Sequence, residues 1–102
     1  MIVSEVELLA KVTRDRAAGK RIAVAALTFD LLRVADVRRL QIAATAADRL
    51  VVAVVDDRAV HATTVQDRAE LVDSLRGVDY VITCAEDRVP QLVELLMPDV
   101  RA

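Results

Sequence analysis

Leu50-Val51-Val52-Ala53-Val54-Val55 is an unbroken, largely β-branched apolar run, and its reading decides the fold. It is short for a helix and has no polar alternation, so it predicts a strand covered on both faces. Arg21 to Leu27 and Val78 to Thr83 have the same character. The segments between these runs change to helical spacing. Upstream, Ser4 and Glu7 have the spacing of a capping box, Val6, Leu8, Leu9 and Val12 recur at helical intervals, and Gly19 offers a stop. From Ala35 or Asp36 to Ala47, a stripe of Val37, Leu40, Ala44 and Ala47 lies opposite Arg38, Arg39 and Gln41.

Asp56 to Gln66 reads as a loop with Thr64 available to cap a helix over about Gln66–Arg76, in which Ala69, Val72 and Leu75 face inward and which Gly77 ends. The last helix, about Arg88–Met97, has Asp87 as candidate cap, Pro90 in its first turn and Pro98 as its stop. The order αβαβαβα predicts an α/β domain in three layers, with right-handed crossovers placing helices on both faces of a parallel sheet of about three strands. Residues 1–102 read as one domain, with 1–18 as a lead-in helix.

Composition narrows the function. Fourteen Lys and Arg stand against sixteen Asp and Glu, a net charge of -2, and the aromatic residues are Phe29 and Tyr80 alone. Neither a basic face for a phosphate backbone nor a set of rings for stacking bases is available, so no nucleic-acid partner is expected. The apolar runs fall far short of the roughly 20 residues that cross a bilayer, so no membrane partner is expected. Glu5 and Glu7 stand where a secretory leader would be basic and then apolar, and a cytoplasmic location is expected. Cys84 and His61 are too few for a structural zinc site, and Gly19 and Gly77 are too few for a Walker or G-x-G-x-x-G phosphate loop.

Five ordered segments carry a resemblance: Gly19-Lys20-Arg21-Ile22; Phe29-Asp30-Leu31-Leu32 with Val37-Arg38-Arg39-Leu40; Asp48-Arg49-Leu50-Val51-Val52-Ala53-Val54; Asp67-Arg68-Ala69-Glu70-Leu71; and Leu75-Arg76-Gly77-Val78-Asp79-Tyr80-Val81, ending in Pro98-Asp99-Val100. From about Ser4 onward the chain resembles the nucleotidylyltransferase (cytidylyltransferase-like) superfamily, and most of all the adenylyltransferase domain of ADP-heptose synthase. The resemblance implies a small Rossmann-like fold with sheet order 3-2-1-4-5. It also implies attack of a sugar or polyol phosphate on the α-phosphate of a nucleoside triphosphate, aided by a His-x-Gly-His motif.

The chain departs from that pattern where the chemistry would sit. The four motif positions are Arg33, Val34, Ala35 and Asp36. Positioned donors of this kind are each worth on the order of 10²- to 10³-fold in rate. A carboxylate at Asp36 about 4 Å from a phosphate oxygen would cost about 4 kcal/mol at an effective dielectric of 20. Leu27 stands where the family has a glycine, and its side chain is expected to occupy phosphate space. No lysine follows Lys20, although the family brings a Lys-Gly pair in its second loop. The chain is expected to stop before the family's next strand and the Ser/Thr-rich phosphate-binding segment beyond it. It is expected, in short, to be truncated relative to the family.

These departures point to a degenerate, catalytically inactive nucleotidylyltransferase-like domain kept as an oligomerising binding or assembly module. The alternative is an active enzyme transferring AMP or CMP to a sugar phosphate or glycerol phosphate, with a Mg-nucleotide as cofactor; otherwise no cofactor is expected. A sensor that binds nucleotide or sugar phosphate without reacting is a third reading. If nucleotide binding is retained, Phe29, Asp30, Arg33, Asp57 and Arg68 are the candidate residues, with no catalytic residue and no metal ligand assigned. Plain structural roles are also available: Arg33 and Asp36 as an exposed loop ion pair, Asp36 as a helix-start carboxylate, Asp30, Asp56 and Asp57 as turn residues, and Arg68 in a surface pair. His61 reads as an exposed loop side chain and Cys84 as a small buried hydrophobe. With no outer neighbour, Ile22 to Leu27 would be a bare apolar edge, expected to pair with a second copy in a homodimer; another protein partner is also possible.

Overall fold

The computed structural model describes residues 1–29, 32–57 and 63–102. Helix α1 (Glu5–Ala17) begins where Ser4 and Glu7 satisfy each other: Ser4 Oγ accepts from the Glu7 N–H and Glu7 Oε1 from the Ser4 N–H, both at 3.2 Å. Strand β1 (Ile22–Leu27), helix α2 (Val34–Ala46), strand β2 (Arg49–Asp56), helix α3 (Val65–Asp73) and strand β3 (Tyr80–Ala85) follow. A 3₁₀ turn (Glu86–Arg88) leads into helix α4 (Val89–Leu96), and strand β4 (Val100–Arg101) comes last.

All neighbouring strands are parallel, in the order β3-β2-β1-β4. Side chains alternate between the faces with the strand period of two. Val24, Val51 and Ile82 meet Leu8 of α1 with Leu92 and Leu96 of α4. Ala25, Val52 and Val81 meet Leu40 of α2 with Ala69 and Val72 of α3. The domain is therefore a three-layer, Rossmann-like α/β fold. Among the described residues, no helix is long and apolar enough to cross a membrane.

Several expectations need correction. The sheet has four strands rather than about three, because Val100 and Arg101 pair with Ala23 and Val24. The edge of β1 is thus covered as far as Val24, and only the outer side of Ala25–Leu27 lacks a strand partner among the described residues. Helix α3 ends at Asp73, earlier than expected, and Leu75 packs half-buried beyond it. Gly77 sits at φ +89°, where a Cβ would also come within 3.1 Å of Ala44 Cβ. Strand β3 starts two residues late. Asp87 does not cap α4: it lies within the 3₁₀ turn, and Arg88 takes the N-cap position without a side-chain hydrogen bond.

The amino end of the sheet is tied by one device used three times. Asp48, Asp79 and Asp99 each stand just before a strand, and each carboxylate accepts a neighbouring backbone N–H at 2.8 Å: from Arg21, Leu50 and Ile22 respectively. Beside them, the Tyr80 hydroxyl donates to the buried Asp15 carboxylate at 2.5 Å, and Arg49 Nε lies 3.6 Å from the same oxygen. This contact docks α1 against the start of β3.

Candidate functional site

The carboxyl ends of β1, β2 and β3 open onto the opposite end of the domain. Beyond β1, Phe29 takes a left-handed backbone (φ 54°) with its side chain only 5% exposed. A bulky aromatic residue rarely adopts this conformation, which costs on the order of 1–3 kcal/mol and persists only where packing imposes it. Here burial of the ring in the core formed with α2 and α3 holds it. Leu27 is half-buried against that same core and borders the cleft above the sheet.

Helix α2 starts at Val34. Arg33 is its N-cap and is exposed, Val34 projects into solvent, and the Asp36 carboxylate accepts the Arg33 backbone N–H at 3.1 Å. The negative charge favoured by a helix amino end is thus supplied from within the chain. No ion pair joins Arg33 and Asp36 among the described residues, and Asp36 has the helix-start role its position suggests.

Arg68 is not the surface side chain that its Asp-Arg-Ala-Glu context suggests. It is 3% exposed, its Nη1 donates to the Thr63 carbonyl at 2.8 Å, and its Nε has no hydrogen-bond partner among the described residues. Thr64 caps α3 by accepting the Asp67 N–H at 3.0 Å. Asp30 and His61 lie outside the described residues.

Two hollows lie at the strand ends and share Glu86. One, of about 240 Å³, is lined by Asp56, Asp57, Glu86 and Asp87. The other, of about 420 Å³, is mainly apolar and is lined by β1, Val55 and the first turn of α4. Arg88 is adjacent but turns to Glu5, with Nη2 and Oε1 2.5 Å apart; that hydrogen bond raises the guanidinium above its ordinary range. Burial pushes the Cys84 thiol up, and the charges of Glu5 and Asp87 add to the effect, so Cys84 stays a protonated, buried side chain. No group of His, Cys, Asp and Glu among the described residues forms a metal-holding cluster. The sequence reading passed over Glu86, although an acidic residue directly after a buried strand is the signal that could have found it.

The described candidates are thus not brought into one site: Arg33 and Asp36 stand at the start of α2, Phe29 and Arg68 are buried, and Asp57 lines a hollow with Asp56, Glu86 and Asp87. No family profile matches the chain. The bifunctional protein HldE of Halorhodospira halophila is 39% identical across 96% of this chain, and that of Alkalilimnicola ehrlichii 36% identical across 97%. The chain spans 22% of the length of each. The lipopolysaccharide core biosynthesis protein from Thermoplasma volcanium superimposes with a TM-score of 0.74 and 25% identity, over 81% of this chain and 73% of that one. The chain is a nucleotidyltransferase-like domain, homologous to part of HldE. The four positions at which the sequence resemblance implies a His-x-Gly-His motif, Arg33 to Asp36, lie at the start of α2.

Proposed function

We propose that this nucleotidyltransferase-like domain does not transfer nucleotides and serves as a binding or assembly module. One observation carries the reading: the Asp36 carboxylate sits on the Arg33 N–H at the amino end of α2. A helix amino end attracts phosphate because its N–H groups are free and its dipole is positive there. A carboxylate in that place answers the N–H and repels a triphosphate. Neither Arg33 nor Asp36 can take the part of a neutral or protonated imidazole that both positions the phosphates and answers the charge developing on them.

The test is release of pyrophosphate from ATP or CTP with Mg²⁺, offered sugar phosphates and glycerol phosphate as acceptors. The expected result is a rate equal to that without protein. Acceptor-dependent release that Arg33→Ala removes would establish the alternative, an enzyme that transfers AMP or CMP. Arg68 favours a second reading, a sensor, because a buried guanidinium with an unpartnered Nε has bonding capacity left for an anion. Calorimetry with ATP, CTP and AMP separates the two: the assembly module gives only heat of dilution, while a sensor gives saturable heat that Arg68→Ala abolishes.

Self-association belongs to the same proposal. The outer side of Ala25–Leu27 offers backbone donors and acceptors to a second copy, and two-fold pairing is the simplest closed arrangement. Equilibrium sedimentation is expected to show a dimer at micromolar concentration. A monomer there would remove the assembly half of the reading.

A further inference from the structure

The chain runs from β1 outward through β2 to β3 and then returns past β1 to place β4 on its other side. In open parallel sheets such a reversal leaves a crevice outside the carboxyl ends of the strands, and small ligands gather in it. Beside that reversal, over the carboxyl ends of β1 and β2, lies the apolar cleft of about 420 Å³, within the size range of small-molecule sites. Ala26, Leu27 and Val55 form its floor, and Val89 and Pro90 of α4 form a wall. Among the described residues its polar side chains are those of Thr28 and Glu86. Among the described residues no lysine or arginine lines it, and Arg88 is held by Glu5 on the neighbouring helix.

An apolar cleft with one carboxylate at its rim selects against phosphate and for the opposite chemistry. We propose that it binds a small organic cation, an amine whose ammonium meets Glu86 and whose hydrocarbon lies against Leu27, Val55, Val89 and Pro90. This rests on the reading of the domain as a binding module and names the ligand class of the cleft. The aliphatic floor shields the hydrocarbon from water, and the carboxylate supplies orientation.

A backbone-amide NMR titration tests it, with n-butylamine, n-hexylamine, n-hexanol and hexanoate as probes at neutral pH. Saturable shifts are expected at Ala26 to Thr28, Val55 and Glu86 to Val89, with affinity rising about two- to fourfold per methylene as each is partly buried. Hexylamine is expected to bind up to about fivefold tighter than hexanol, and tighter still than hexanoate, through its charge on Glu86. Glu86→Gln, a substitution on the exposed 3₁₀ turn, is expected to erase that preference and keep the dependence on chain length. The absence of saturable shifts, equal binding of hexanoate, or an undiminished amine preference in Glu86→Gln would overturn the proposal. Pyrophosphate release measured on the same preparation bears only on nucleotidyl transfer, so failure of the amine site and failure of the functional reading are told apart.

Discussion

The two ends of the sheet use the same residue type for opposite purposes. At the amino end, Asp48, Asp79 and Asp99 each close on a backbone N–H at 2.8 Å, and Asp15 is closed by Tyr80 and faced by Arg49. Those carboxylates are structural, because their acceptor oxygens are directed inward at the frame. At the carboxyl end, Asp36 closes on α2, whereas Asp56, Asp57, Glu86 and Asp87 line a hollow. Carboxylates thus tie the frame together at one end, while at the other they also border a hollow. Framework and chemistry are physically separable in this fold.

The largest expected effect lies at the carboxyl end, where packing imposes a strained turn. Phe29→Ala should cost about 3–5 kcal/mol in denaturant unfolding, as the ring is lost from the core. Phe29→Gly loses the same ring but relieves a left-handed backbone worth roughly 1–2 kcal/mol. Glycine should therefore be the less damaging of the two, a reversal of its usual rank. If alanine is tolerated better, the turn stores no strain and this end is as relaxed as the other.

At the amino end, Asp79→Ala should cost about 1–3 kcal/mol, because the Leu50 N–H is partly buried and loses its acceptor. Asp36→Ala should cost less, about 0.3–1.5 kcal/mol, since the Arg33 N–H it releases reaches water. Equal costs would mean that the carboxylate on α2 is as much a part of the frame as the one before β3.

The same difference explains what the sequence disclosed. Runs such as Leu50 to Val55 and stripes such as Val37 and Leu40 depend on local period, so the helices and the longer strands were legible with their approximate bounds. Strand β4 was not, because Val100 and Arg101 are too short to show a period and become a strand only by meeting Ala23 and Val24. Strand β3 starts late because Asp79, apolar neighbours notwithstanding, turns its carboxylate to Leu50. In the site, Asp36 was legible as a helix-start carboxylate. The left-handed Phe29, the burial of Arg68 and the meeting of Asp15 with Tyr80 were not, since each is decided by contacts distant in sequence.

The Asp15–Tyr80 contact gives the amino end a pH dependence. Burial foremost, then the hydrogen bond to Asp15 and its charge, raise the Tyr80 phenol above its ordinary value near 10. A phenol whose folded value exceeds its unfolded one contributes stability that is complete below the unfolded value and disappears as pH rises through the folded value. Thermal unfolding should therefore show stability lost above about pH 10, and Tyr80→Phe should flatten that part of the curve. An unchanged alkaline decline in Tyr80→Phe would assign it to other groups.

The smallest effect concerns Glu7, whose carboxyl is fully exposed and serves only the first turn of α1. The Ser4 backbone N–H, then the Ser4 side chain, hold it below its ordinary value of 4.5. The stability it contributes is present above the unfolded value and lost as pH falls through the folded one, the mirror image of Tyr80. An NMR titration of the Glu7 side chain should show the lowered midpoint, and Ser4→Ala should move it only part of the way back, because the larger influence is the backbone donor that alanine keeps. A full return to the ordinary value would mean that the serine hydroxyl organises the whole cap, and that the backbone N–H follows it into place.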